Sequence, residues 1–126
     1  MRFSYWLLVF AFGSAVSAAN PEFEHDIRPL LQKRCMMCHG PSQQMGGVRF
    51  DDREQALKGG YSGPVIVPGN AAGSRLMQMI TSGRDGRIMP PSGPRLTADE
   101  ITLVRAWIDS GAVWPASATA TMGPTR

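Results

Sequence analysis

The stretch that most constrains this chain is Cys35-Met36-Met37-Cys38-His39, which has the pattern C-x-x-C-H. This pattern is typical of the attachment site for a c-type haem. Two intervening residues let one turn of backbone present both sulfurs to one edge of the porphyrin, where each sulfur adds across a vinyl group. The adjacent histidine can then give an imidazole nitrogen to the iron. We therefore predict that Cys35 and Cys38 anchor one covalent haem c and that His39 is the proximal iron ligand.

Three other interpretations of the motif remain open at the level of sequence. The two cysteines could form a structural disulfide. They could also be a redox pair of the thioredoxin type, although that motif accompanies a βαβ pattern that we do not find here. A zinc site needs four ligands, and only His25 is left to join Cys35, Cys38 and His39.

The N-terminus has the pattern of a secretory signal peptide. A short charged start precedes an apolar run from Phe3 to Phe12, and Val16-Ser17-Ala18 supplies small residues for cleavage. As a helix, the apolar stretch up to Ala18 would span about 24 Å, which is short for a hydrocarbon core of about 30 Å. The predicted organisation has three parts: a signal peptide at residues 1–18, a mono-haem domain at 19–115 and a disordered tail at 116–126.

Charge and composition argue against several classes of function. The chain has 126 residues with 13 basic and 10 acidic side chains. Without the predicted signal peptide, which contains Arg2, 12 basic and 10 acidic side chains remain, a net charge of +2. So small a charge gives no reason to expect binding to nucleic acid or to an anionic membrane. No second apolar span follows, so we expect no membrane span in the mature chain.

Capping residues and apolar spacing predict four helices. They run from about Ile27 to Cys38 with Asp26 as cap, from Asp51 or Asp52 to Leu57, from Arg75 to about Thr81 with Ser74 as cap, and from Thr97 to Ser110-Gly111. The last is the most distinct, because Thr97 and Glu100 have the spacing of a capping box. Trp107 on this helix is expected to pack in the core, on the first helix or the haem edge. His25 is expected to be a solvated loop histidine.

A methionine sulfur is the expected second iron ligand, because a haem that only transfers electrons has both axial positions filled. Seven methionines follow the predicted signal peptide: Met36, Met37, Met45, Met77, Met79, Met89 and Met122. Met89 is favoured because a residue before proline is restricted to extended backbone, and the stiff Pro90-Pro91 pair can hold its sulfur at small entropic cost. It lies 50 residues after His39, so the chain can pass over the other haem face. The alternative is an ordinary packed loop methionine.

Seven segments between about Phe23 and Pro115 form a set: Ile27-Arg-Pro-Leu-Leu31, Cys35-Met-Met-Cys-His-Gly40, Gly47-Val-Arg-Phe-Asp51, Val67-Pro-Gly-Asn70, Ser74-Arg-Leu76, Met89-Pro-Pro91 and Trp107-Ile-Asp-Ser-Gly-Ala112. This set resembles the planctomycete-type cytochrome c domain, a branch of the class I cytochrome c superfamily. The resemblance implies an all-α, class I cytochrome c-like fold wrapped around one covalently attached haem. It also implies His39 as proximal ligand and Met89 as distal ligand.

These observations predict an exported, mono-haem one-electron carrier rather than an enzyme. We expect a periplasmic monomer that meets redox protein partners transiently. One alternative is a redox subunit of a larger oxidoreductase complex. Another is a haem enzyme or gas sensor, peroxidase-like, with an open iron site, which requires that Met89 does not bind iron. Arg49, Tyr61 and Arg75 could pair with haem propionates, and the sequence assigns none of them.

Overall fold

The computed structural model describes residues 20–121, and within this range the chain is helical with no β-strand. This agrees with the all-α prediction. The predicted signal peptide, Met122 and the last residues of the predicted tail lie outside the described residues. No helix within 20–121 is long and apolar enough to cross a membrane.

Four α-helices and three shorter helical turns make up the described chain. The α-helices are α1 (Arg28–Arg34), α2 (Arg53–Lys58), α3 (Arg75–Thr81) and α4 (Ala98–Asp109). A π-helical turn (Phe23–Ile27) leads into α1, and 3₁₀ turns cover Met45–Gly47 and Ala116–Thr121. Long loops connect the helices, and these loops supply much of the site described below.

The first helical segment begins earlier than predicted. We expected Asp26 to cap a helix that starts at Ile27, but the helical turn begins at Phe23, after an extended Glu22. The Asp26 carboxylate instead accepts a hydrogen bond from the Glu22 backbone N–H at 2.8 Å. The prediction was wrong because tertiary burial of Phe23, which is 3% exposed, stabilises the extra turn.

The same segment ends earlier than predicted, at Arg34 rather than at Cys38. Beyond Arg34, the backbone N–H groups of Cys38 and His39 both donate to the Cys35 carbonyl, at 3.2 and 3.0 Å. These bonds turn the motif into a compact loop. The two cysteines and the histidine are therefore presented from a turn and not from a helix face.

Two of the other predicted caps need correction or refinement. Asp52, and not Asp51, caps α2, because its carboxylate accepts from the Gln55 N–H at 2.9 Å. Ser74 precedes α3 as predicted, but it forms no side-chain cap. Its buried hydroxyl donates to the Asn70 carbonyl at 2.8 Å and accepts from the Val67 N–H at 2.9 Å, so it fixes the preceding loop.

The longest helix, α4, is confirmed together with its capping box. Thr97 Oγ1 accepts from the Glu100 N–H at 3.2 Å, and Glu100 Oε1 accepts from the Thr97 N–H at 3.0 Å. Two orphan amides at the helix start are thereby satisfied. The last residue of the helix is Asp109, and Ser110 is its C-cap, as the predicted stop at Ser110-Gly111 requires.

An aromatic cluster joins α4 to the N-terminal helical turn. The Trp107 ring lies 6.0 Å from the Phe23 ring and 6.2 Å from the Trp114 ring, and Phe23 stacks on Trp114 at 4.3 Å. The Trp107 indole N–H donates to the Val113 carbonyl at 2.9 Å. The prediction that Trp107 packs in the core is confirmed, and its N-terminal ring partner, Phe23, lies in the helical turn that leads into α1.

Regular structure continues past the predicted end of the domain. We expected a disordered tail from residue 116, but Ala116–Thr121 forms a 3₁₀ turn. Ala118 is buried, and its carbonyl accepts from Arg28 Nη2 at 2.9 Å. The buried Ala118 side chain and this long-range hydrogen bond help to hold the segment, and neither gives a periodic pattern in the sequence.

Candidate functional site

A cavity of about 650 Å³ lies beside the helical core. This volume is within the range of about 300–1,000 Å³ that is usual for cofactor and ligand sites. The walls are mainly apolar and include Phe50, Val65, Leu76, Ile80 and Leu96. All four residues predicted as haem anchors or iron ligands line this cavity: Cys35, Cys38, His39 and Met89.

The compact turn after α1 brings the C-x-x-C-H motif to one wall. Gly40 follows the histidine and is buried. A Cβ atom at this position would clash with the Met36 carbonyl oxygen and lie 3.0 Å from the Met36 sulfur. The chain can therefore pass this close to Met36 only because glycine has no side chain.

Hydrogen bonding fixes the orientation and tautomer of His39. Its Nδ1 lies 3.2 Å from the Val48 carbonyl oxygen, which can only accept, so Nδ1 carries the proton. The Phe50 ring meets the imidazole edge-on, with centroids 5.7 Å apart. Burial lowers the pKa of His39, although backbone hydrogen bonds to Val48 and Met45 act in the opposite direction. The result is a neutral imidazole whose Nε2 lone pair is available to a metal.

The environment of Cys35 does not suit a redox-active thiol. Burial, followed by the Glu100 carboxylate, raises its pKa to about 12, whereas reactive cysteines have lowered pKa values. Cys35 and Cys38 are both free thiols in the structure. Among residues 20–121, no three His, Cys, Asp or Glu side chains converge as a metal site. The disulfide, the thioredoxin-type pair and the zinc site therefore find no support in the geometry.

A reversal of the chain after α3 brings Met89 to the cavity. Asp85 and Gly86 have positive φ angles of 52° and 73°, and Arg84 and Arg87 exchange backbone hydrogen bonds at 2.7 and 2.9 Å across the turn. The returning chain then runs back along α3. An Asp-Gly pair is typical of such a turn.

Met89 is held to α3 by its backbone. Its N–H donates to the Met79 carbonyl at 2.8 Å, and its half-buried side chain lines the cavity. Two other methionines, Met45 and Met79, also line the cavity. Met36 and Met77 are buried in the core away from it, and Met37 is 86% exposed. The described candidates for a second sulfur ligand are thus reduced from six to three: Met45, Met79 and Met89.

The structure distinguishes between the cationic candidates at the cavity. Arg75 is half-buried on the wall, and its side chain makes no hydrogen bond or ion pair with any described residue. Arg49 is instead paired with Asp51, through bonds of 2.9 and 2.6 Å, and Tyr61 is 90% exposed. Neither Arg49 nor Tyr61 lines the cavity, so Arg75 is the better placed of the three to meet an anionic group.

Arg34 is a cavity residue that the sequence analysis missed. Its Nη2 and Nε donate to the two carboxylate oxygens of Glu100 at 2.8 and 3.2 Å, and its Nη1 reaches the Pro94 carbonyl at 3.4 Å. The hydrogen bond from Arg34 is the main cause that lowers the pKa of Glu100 to about 2. This two-bond ion pair links Arg34, the residue before Cys35, to Glu100 at the start of α4. No local pattern could reveal it, because the partners are 66 residues apart.

Comparison with known proteins gives one match. Residues 35–93 match the family model for planctomycete cytochrome C. This segment is similar to the planctomycete cytochrome C domain. The resemblance predicted from the sequence is therefore confirmed for this segment. No curated protein and no solved structure matches the chain significantly.

The segment that matches the family model contains the predicted site. It begins at Cys35 and includes His39, Arg75 and Met89, whereas α4 lies outside it. A cytochrome c domain implies a covalent haem c, and the residues present fit that group. Two free thiols, a neutral imidazole with an available Nε2 and thioether sulfurs meet at one largely apolar cavity.

Proposed function

We propose that this protein is an exported mono-haem cytochrome c that carries single electrons between redox proteins. The observation that carries the proposal is the convergence of Cys35, Cys38, His39 and Met89 on one apolar cavity. These residues are spread over 55 positions of the chain, and each has the chemistry that haem c requires. A bound haem c would supply one-electron exchange at its iron.

The two cysteines provide covalent attachment. Each thiol would add across one vinyl group of the porphyrin, so that a C–S bond forms, the thiol hydrogen passes to the neighbouring vinyl carbon and nothing leaves. Two thioethers would then hold the haem where the apolar walls exclude water.

In the proposal, His39 Nε2 and the Met89 sulfur would bind the haem iron. The Val48 carbonyl holds the proton on Nδ1, which keeps Nε2 free and raises the basicity of the ring. The backbone bond from Met89 to Met79 and the following Pro90-Pro91 limit the movement of the sulfur. Two filled axial positions favour electron transfer over ligand binding.

The composition of the cavity walls also favours a carrier over a peroxidase-like enzyme. No aspartate or glutamate lines the cavity among the residues that the structure describes. Proton transfer to a substrate needs a positioned acid or base. His39, the one imidazole at the cavity, is assigned to iron. The proposal includes export because of the signal-peptide pattern at residues 1–18. It places the carrier in the periplasm because an unanchored carrier would otherwise diffuse away from the cell.

Optical spectra of the matured protein test the proposal. We would compare ferric and ferrous wild type with Met89→Ala and, as matched control, Met79→Ala, which removes the cavity-lining methionine of α3. The expected result is a weak far-red ferric band in wild type and in Met79→Ala that is absent from Met89→Ala. Loss of the band in Met79→Ala alone would move the ligand to Met79.

Two other outcomes would overturn the proposal itself. A high-spin ferric wild type that binds carbon monoxide rapidly when reduced would indicate an open iron site and favour the enzyme or sensor. A matured protein with no haem retained after denaturation, and no effect of Cys35→Ala or Cys38→Ala, would exclude covalent attachment.

A further inference from the structure

A second, shallower depression of about 370 Å³ lies beside the haem cavity and has a different character. Three arginines line it, Arg84, Arg87 and Arg95, together with one acidic residue, Asp85. It shares Gly86, Arg87 and Ile88 with the wall of the cavity. A cationic surface therefore adjoins the site of electron exchange. We call Arg84, Arg87 and Arg95 the arginine surface.

The positive charge of the described chain is concentrated in this region. Residues 75–96 carry four arginines and one aspartate, a net charge of +3. Residues 20–74 carry six acidic and six basic side chains, and residues 97–121 carry three acidic side chains and one basic side chain. The net charge of the described chain is therefore small, but the charge is distributed unevenly along it. Such a local field raises the encounter rate with anionic partners.

The arginine surface is available to an external partner. The side chains of Arg87 and Arg95 are exposed and make no hydrogen bond or ion pair with any described residue. Arg84 is also exposed, with one bond to the Gln78 side chain at 3.0 Å and a looser contact with Asp85 at 3.7 Å. The backbone that carries Arg84 and Arg87 is fixed by the tight turn between them. A fixed backbone lowers the entropic cost of ordering these side chains on binding.

We propose that the arginine surface is the docking surface for a redox partner that presents clustered carboxylates, an inference that rests on the proposed function. Arginine binds carboxylates through two parallel hydrogen bonds, which gives orientation as well as attraction. Arg87 lies two residues before Met89 and borders both the depression and the cavity. A partner docked here is held beside the electron-exchange site.

Electron-transfer rates with small reagents of opposite charge test the proposal. The ferrous holoprotein would give one electron to hexacyanoferrate(III), an anion, or to tris(phenanthroline)cobalt(III), a cation, in stopped-flow experiments. The test variant is Arg84→Gln/Arg87→Gln/Arg95→Gln. The control, Lys33→Gln/Lys58→Gln/Arg105→Gln, removes the same charge from exposed positions that line neither depression nor cavity. Arg87→Gln/Arg95→Gln is a second test variant that leaves the Arg84–Gln78 bond intact.

At low ionic strength, we expect the test variant to slow hexacyanoferrate(III) oxidation about tenfold and to accelerate the cobalt reaction, with little change in the control. High salt should remove the difference. The peptide hexaglutamate, used as a carboxylate probe, should inhibit hexacyanoferrate(III) oxidation of wild type and control but not of the test variant.

Three results would overturn this inference. One is equal rates for the test and control variants. Another is inhibition by hexaglutamate that persists in the test variant. The third is a lowered reduction potential of the test variant together with rates that change in the same direction for both reagents. The arginines would then act on haem propionates and not on a partner. Failure of the proposed function has a different signature, since a protein without covalent haem would react with neither reagent.

Discussion

At the scale of single residues, the cavity combines an oriented imidazole, His39, with a half-buried cation, Arg75. His39 is fixed by the Val48 carbonyl and the edge of Phe50. Arg75 lines the same cavity without any hydrogen-bonding partner among the described residues. A half-buried guanidinium of this kind costs free energy unless an anion meets it. The two carboxylates of a haem provide such anions.

We expect Arg75→Gln to lower the reduction potential of the matured protein. Oxidation adds one positive charge at the iron, and a nearby guanidinium opposes that charge. Removing the guanidinium stabilises the ferric state, by an amount on the order of tens of millivolts for a partly solvated charge. A redox titration of Arg75→Gln beside Arg105→Gln, an exposed arginine of α4 that does not line the cavity, measures the effect. Equal potentials for the two variants would contradict it.

At the scale of elements, α4 is the helix whose start is most completely defined by its own sequence. Its capping box satisfies two amides within one turn. We predict that Thr97→Ala lowers the free energy of unfolding by about 1 kcal/mol, the usual value of such a cap. Thr102→Ala is the control, because the Thr102 hydroxyl bonds only to the Ala98 carbonyl of its own helix. Urea denaturation should show a clear difference between the variants, and identical midpoints would show that the cap contributes nothing.

The two-bond ion pair between Arg34 and Glu100 makes the link between α1 and α4 depend on pH. The pKa of the Glu100 carboxyl is about 2 in the folded chain and near 4.5 when unperturbed. A lowered pKa means that its contribution is complete above about pH 4.5 and is lost as the pH falls toward 2. We expect Glu100→Gln to cost about 1–2 kcal/mol at pH 7 and much less near pH 2. A constant difference between wild type and Glu100→Gln from pH 7 to pH 2 would refute this account.

At the scale of the whole molecule, local signals predicted the parts that depend on nearby residues. The haem motif, the capping box of α4 and the α3 segment are each encoded within about a dozen positions. The parts that were missed depend on distant contacts. Phe23 joins the first helical segment because it packs on Trp114, and Glu100 holds Arg34 at the wall of the cavity. Ala118 is placed by Arg28. No sequence window contains both members of these pairs, so capping and periodicity could not reveal them.

The size of the cavity sets how strongly folding should depend on the haem. Without haem, the apolar walls of this cavity of about 650 Å³ would face water or empty space instead of the porphyrin. An ordinary small domain is stable by only about 5–15 kcal/mol, and a domain of this size has little other apolar surface to bury. We therefore predict that the chain without haem is at best partly folded.

The double variant Cys35→Ser/Cys38→Ser, purified without haem, tests this prediction against the matured wild type. We expect circular dichroism to show reduced helical content for the variant, without a cooperative thermal transition, while the wild type melts cooperatively at a much higher temperature. Added free haem should partly restore helicity, because His39 and the apolar walls remain. Cys35→Ser/Cys38→Ser/His39→Ala should recover less, since the iron would lose its imidazole. A cooperative transition of the haem-free variant within a few degrees of the wild type would show that the helical core is stable alone.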